Sequence, residues 1–129
     1  MNDKINKIQK FTDLYTWQEG HKLVLIIYKE TEKFPGRENY GITDQMRRAA
    51  VSITSNIAEG FSRKSSKEKN RFYCMAQASL VELQNQLIIS RDVGYLSSDE
   101  FKIIIDQSIT TNKLLSGLSK ATKNKLFES

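Results

Sequence analysis

The sequence predicts an all-α protein, an antiparallel up-down four-helix bundle. Three observations predict it. Apolar residues recur at three-to-four spacing through four separate segments. The breaks between those segments are short and carry helix stop and start signals. A single proline in 129 residues leaves long uninterrupted stretches. One run, LVLIIY (Leu23 to Tyr28), is ambiguous between helix and strand, and its helical flanks decide for helix. Residues 1–12 are expected to be a lead-in, 13–122 the bundle domain and 123–129 a frayed tail.

The first helix is expected from about Leu14 to Lys33, with Trp17, Val24, Ile27, Tyr28, Thr31 and Phe34 on its buried face. Pro35 ends it, because proline cannot continue the hydrogen-bond ladder. Thr43 is the expected cap of the second helix, with Asp44 at its positive end. Met46, Ala49, Ala50, Ile53, Ile57, Gly60 and Phe61 then form one stripe. Ser65 and Glu68 have the spacing of a capping box for the third helix, whose stripe is Phe72, Ala76, Ser79, Leu80, Leu83 and Leu87. Gly94 is placed to terminate that helix. Ser97 and Glu100 repeat the box for a fourth helix carrying Phe101, Ile104, Ile105, Ser108, Leu115 and Leu118, with a lysine-rich end near Lys123.

The length suits one domain with a real core. A formal net charge of +5 permits contact with nucleic acid without requiring it. Cys74 is the single cysteine, so no disulfide forms within the chain and a reducing compartment is expected. Neither a run of roughly 20 apolar residues nor the apolar centre of a signal peptide is present. No membrane association is expected, and the expected location is the cytoplasm.

The third helix carries more apolar surface than one core seam needs. Cys74, Ala78, Val81 and Ile88 recur opposite its main stripe, and Val51, Thr54 and Ala58 do so more weakly on the second helix. Left exposed, such a face marks an interface. The expectation is a homo-oligomer, with Cys74, Ala78, Val81, Ile88, Val51 and Ala58 as interface residues. The competing reading is a third helix widely buried within one subunit.

The reactive inventory is thin. His21 is the only histidine and sits near Trp17 and Val24, where packing accounts for it. Arg48, Ser52, Ser55 and Glu59 form a polar ridge, but Arg48 and Glu59 stand about 16 Å apart along the helix, too far to act as a catalytic pair. Asn56 flanks the apolar face, where its amide is placed to bond a neighbouring helix or loop. Glycine-rich phosphate loops, paired catalytic carboxylates and Cys-x-x-Cys are all missing from the sequence. The expectation is a protein that is not an enzyme and uses no cofactor or metal.

The candidate functional surface is basic. Arg63, Lys64, Lys67, Lys69 and Arg71 stand against Glu68 alone between Ser62 and Arg71, with Arg47 and Arg48 as further candidates. Cations at the opening of a helix oppose its dipole. Repeated around a symmetric assembly, they would make a positive ring for a phosphate backbone. Phe72 belongs to the core stripe in this reading, which leaves Tyr73 for stacking. The alternatives are a solvated connection and a docking end for a protein partner. A smaller set, Lys113, Lys120, Lys123 and Lys125, is explained by the negative end of the fourth helix.

FTDLYTWQEG, FPGRENYGITDQMRRAAVSITSNIAEGFSR and ASLVELQNQLIIS resemble the bacterial four-helix bundle family called S23 or 23S rRNA intervening-sequence proteins. The resemblance runs from about Phe11 to Leu118. It implies a ring-shaped homopentamer and kinship with the accessory proteins of diversity-generating retroelements, which bind nucleic acid and a reverse transcriptase. It implies no biochemical activity for this branch. Two positions depart from the family's common residues: Gly20 stands for alanine and Thr54 for proline. The first is expected to loosen the first helix slightly, and the second to straighten the second helix.

Overall fold

A computed structural model describes residues 7–128. Four helices make up the domain: α1 (Tyr15–Thr31), α2 (Ile42–Ser62), α3 (Ser66–Asp92) and α4 (Ser98–Glu128). Short 3-10 turns at Phe11–Asp13 and Gly36–Glu38 precede α1 and α2, and the described residues contain no strand. Each helix packs against the next in the chain, and α4 returns beside α1. The order is therefore up-down-up-down. The start of α1, the α2–α3 connection and the last turns of α4 share one end of the bundle.

The core follows alternating steps of three and four, the spacing that keeps a seam facing its partner in nearly antiparallel packing. On α2 it runs through Thr43, Met46, Ala50, Ile53, Ile57 and Gly60, and on α3 through Tyr73, Ala76, Leu80, Leu83, Leu87 and Ser90. On α1 the buried line is Thr16, Gly20, Leu23, Ile27 and Thr31. That line is rotated from the expected face: Tyr28 is exposed and Trp17 and Val24 are half-buried. The apolar run at 23–28 leaves the phase open, and packing settles it with Leu23 and Ile27 inside and Leu25 outside.

Helix ends follow local chemistry. Gly94 has φ of +92°, the left-handed geometry glycine adopts without penalty, and the N–H groups of Tyr95 and Leu96 both donate to the Ser90 carbonyl. Ser97 and Glu100 close a full capping box: the Ser97 N–H donates to Glu100 Oε1 at 2.8 Å and the Glu100 N–H to Ser97 Oγ at 3.1 Å. At α3 only the Ser65 half forms, accepting from the Glu68 N–H at 3.1 Å. Thr43 is not the cap of α2. The helix already begins at Ile42, Thr43 is buried, and Glu38 Oε1 accepts from the Ile42 N–H at 3.3 Å. The Gly36–Glu38 turn carries that carboxylate back to the helix start, doing what a side chain at Thr43 would have done. At the other terminus, α4 runs to Glu128, past the expected end near Lys123. The outer lead-in, residues 1–6, and Ser129 lie outside the described residues.

The Ser97 N–H first, then the Lys33 ammonium at 2.9 Å, pull the Glu100 carboxyl from its ordinary 4.5 down to about 2. A depressed carboxyl contributes stability that is full above about pH 4.5 and is lost as pH falls toward 2. Glu100→Gln should lower the melting temperature at neutral pH and flatten its fall across that acid window. An unchanged acid limb in melts from pH 7 to 2 would show that the pair carries no linkage.

Two glycines mark close helix approaches. A Cβ on Gly60 would stand 2.6 Å from Tyr73 Cε1 and 3.1 Å from the Lys69 carbonyl oxygen, so α2 lies on the Tyr73 ring. A Cβ on Gly20 would meet the Thr54 methyl at 3.2 Å and the Thr111 methyl at 3.7 Å. Rather than loosening α1, Gly20 lets it settle against α2 and α4.

Polar side chains pin the seams. Gln77 Nε2 donates to Ser116 Oγ and Gln84 Nε2 to Ser108 Oγ, each at 3.0 Å, and the Ser119 hydroxyl donates to Asn70 Oδ1, joining α3 to α4. Gln107 Nε2 reaches the Glu19 carbonyl at 2.9 Å, joining α4 to α1. These bonds fix register, because sliding a helix by one turn would leave their buried members unpaired.

Candidate functional site

The basic segment wraps the end of the bundle where α2 passes into α3. Ser62 and Ser65 bracket the turn, and the short connection brings the last turn of α2 against the first turn of α3. Of the five expected residues, three are held by neighbours. Arg63, just past the end of α2, pairs with Glu59 at 2.9 Å, and Arg71 pairs with Glu68 at 3.5 Å within α3. Lys69 Nζ donates to the Phe61 carbonyl at 2.7 Å and lies over the Phe61 ring. Lys64 and Lys67 are exposed and make no ion pair or hydrogen bond among the described residues.

Phe72 and Tyr73 exchange the places expected of them. Tyr73 is the core residue, 2% exposed, and Phe72 is half-buried. The guanidinium carbons of Arg63 and Arg71 sit 4.7 and 4.9 Å from the Phe72 ring centroid. One ring therefore gathers an arginine from the α2–α3 connection and one from α3, a cation–π arrangement that holds them near each other. Tyr73 continues the three-four alternation of α3 back from Ala76, whereas Phe72 stands four before it. Strict alternation was the signal in the sequence that separates them.

The opposite end of α2 does not join this surface. Arg47 and Arg48 lie about 22 Å along the helix from Ser62, at 1.5 Å per residue. Arg47 Nε donates to Thr31 Oγ1 at 2.9 Å, Nη2 to the Tyr28 carbonyl at 3.3 Å, and the guanidinium lies over the Tyr28 ring. It ties α2 to the end of α1. Arg48 is paired with Asp44 at 2.8 Å. What does join the basic end is a set the sequence had placed elsewhere. Because α4 runs antiparallel to α3, with Ser119 bonded to Asn70, the exposed Lys120 and Lys123 come level with the first turn of α3. Lys10 lies at the same end, just before α1. The acidic residues there are few: Asp13, whose carboxyl is held below its usual range by the Gln9 and then the Lys10 N–H, together with Glu59 and Glu68. The side chain of Lys125 lies outside the described residues.

One member of the polar ridge of α2 ties it to α3. Ser52 and Ser79 share a hydrogen bond of 2.8 Å between α2 and α3, and Asn56 Nδ2 donates back to the Ser52 carbonyl at 2.8 Å. Asn56 thus bonds its own helix rather than a neighbour. His21 stacks on Trp17 with centroids 4.7 Å apart. Among the described residues no three His, Cys, Asp or Glu side chains gather as a metal site, and no helix is long and apolar enough to cross a membrane.

The second apolar face is open to solvent in the single chain. Val81 is 59% exposed and Ile88 41%, Cys74 and Ala78 are exposed, and Val51 joins them while Ala58 is half-buried. Helix α3 is therefore not enclosed by its own bundle.

The model of the 23S rRNA-intervening sequence protein family matches residues 12–117, from the lead-in turn to the middle of α4. The chain belongs to that family. Lys120 and Lys123 lie on the part of α4 beyond the matched span. Among solved structures, a protein of unknown function from the S23 ribosomal protein family of Bacteroides thetaiotaomicron is similar, with a TM-score of 0.74 and 19% identity over 81% of this chain and 98% of that one. That similarity shows a shared four-helix fold. Comparison with curated proteins finds no match.

Proposed function

We propose that this protein is a non-enzymatic cytoplasmic bundle that assembles with copies of itself into a ring, a pentamer, and holds the backbone of RNA or DNA on its basic end. One observation carries the reading: Lys64 and Lys67, without partners among the described residues, share an end of the bundle with Lys120 and Lys123 from a different helix. Cations from several elements converging on one surface are what a polyanion recognises, whereas the ion-paired opposite end offers no such excess. The exposed Val81 and Ile88 face supports assembly, which would multiply the patch by symmetry. The family resemblance favours five copies.

Backbone contact makes binding fall steeply with salt, by a slope near 0.7 per neutralised phosphate for single strands. Anisotropy of a labelled single-stranded RNA, titrated at several salt concentrations, should show that fall. Replacing Lys64 and Lys67 together with glutamate should weaken binding at least about tenfold and make the slope shallower. Absence of binding even at low salt would overturn the reading. It would leave the second one, an interaction scaffold whose exposed α3 face and basic end present a surface to a protein partner.

A further inference from the structure

The basic end contains a cleft that phosphate contact alone does not use. It has a volume of about 370 Å³ and opens between the α2–α3 connection, the start of α1 and the last turns of α4. Leu14, Phe61, Leu118 and Tyr73 form its walls, while Lys64 and Ser66 stand at its edge. The volume lies in the range of small-molecule sites, which combine apolar walls with a few polar groups. One such group is already inside. Tyr73 is 2% exposed and lines the cleft, and its hydroxyl makes no hydrogen bond to the protein among the described residues. A phenol hydroxyl on a cleft wall, unbonded by the protein, is free to meet a ligand's polar edge. Burial also pushes the phenol's pKa up, so it stands as a proton donor at neutral pH.

We propose that this cleft receives one unpaired nucleobase of a bound strand, with the adjoining phosphate on Lys64 and Lys67. The inference rests on the nucleic-acid reading above and narrows it to single-stranded ligands. The base lies between the Leu14, Phe61 and Leu118 side chains, and its polar edge meets the Tyr73 hydroxyl. A base within a duplex is stacked and paired, and cannot enter without being pulled from the helix. Charge complementarity selects this occupant: an uncharged apolar molecule would leave the cations at the mouth unused.

The test uses two labelled single strands of equal length and charge, one with its bases and one made entirely of abasic residues. The basic end binds both through phosphate. The base-bearing strand should bind about tenfold tighter or more, the scale of one stacked base. Thr122→Trp, which fills the cleft from α4, should make the two strands bind alike. Tyr73→Phe removes only the hydroxyl, keeps the core shape, and should narrow the difference several-fold if the tryptophan variant fails to fold. Equal affinity of the two strands for the unaltered protein would overturn the base site and leave the phosphate reading standing. A duplex bound as tightly as the base-bearing strand would overturn it as well. Failure of every strand to bind at low salt would remove both.

Discussion

Gly60→Ala is expected to destabilise the bundle by about 1–3 kcal/mol, the range for forcing an extra carbon into a packed core. The added Cβ would enter within 2.6 Å of the Tyr73 ring and 3.1 Å of the Lys69 carbonyl oxygen. Neither neighbour is a flexible side-chain end. The carbonyl belongs to the α3 backbone, and Tyr73 is 2% exposed, so relief requires α2 and α3 to part. The same substitution at Gly117 should act in the opposite sense. That glycine lies within α4, and a Cβ there meets nothing within 4 Å. Alanine then removes backbone freedom from the unfolded chain without crowding the folded one, worth about 0.5–1 kcal/mol of added stability. Urea unfolding of both variants checks the pair. A Gly60→Ala protein as stable as its parent would mean that the α2–α3 approach is looser than these distances.

Leu83→Ala is expected to cost about 2–5 kcal/mol, the largest effect among single side chains considered for this bundle. Leu83 is fully buried on the α3 seam, and its neighbours Leu80 and Leu87 are equally enclosed, which leaves little that can collapse into the gap. Two residues earlier, Val81 is 59% exposed and points away from that seam. Under the proposed assembly, Val81→Lys should therefore leave each chain's helical circular dichroism intact while abolishing self-association, read as single-chain mass in light scattering. Retention of the parent's assembly by Val81→Lys would place the interface elsewhere. An unaltered Leu83→Ala melt would contradict the core itself.

How much of this was legible in the sequence depends on which signal each element carried. The α2 core was, because Met46, Ala49, Ala50, Ile53 and Ile57 form one unmixed stripe. Gly94 and the Ser97–Glu100 box likewise announced where α3 stops and α4 starts. The face of α1 was not, since an apolar run satisfies several helical phases and only contact with α2 and α4 chooses among them. The cap of α2 was missed because Glu38 acts from a 3-10 turn, where no spacing rule points to it. The basic segment was visible as a charge run. Its enlargement by Lys120 and Lys123 was not, because a one-dimensional charge count does not show that antiparallel helices bring residues some fifty positions apart to one height. The separation of Phe72 from Tyr73 turned on a single-residue difference in phase. Its outcome exchanged a core residue with one that braces two arginines.

The contact between Gly20 and Thr54 bears on how such a sequence can change over time. The two residues face each other across the α1–α2 seam. The Thr54 methyl stands where an alanine at position 20 would crowd it, at 3.2 Å. With threonine at 54, glycine at 20 fits without displacement, whereas alanine there requires the threonine methyl or the helix to give way. Two sites 34 residues apart in the chain therefore cannot change independently: the residue tolerated at one depends on the residue at the other, through the space between two helices.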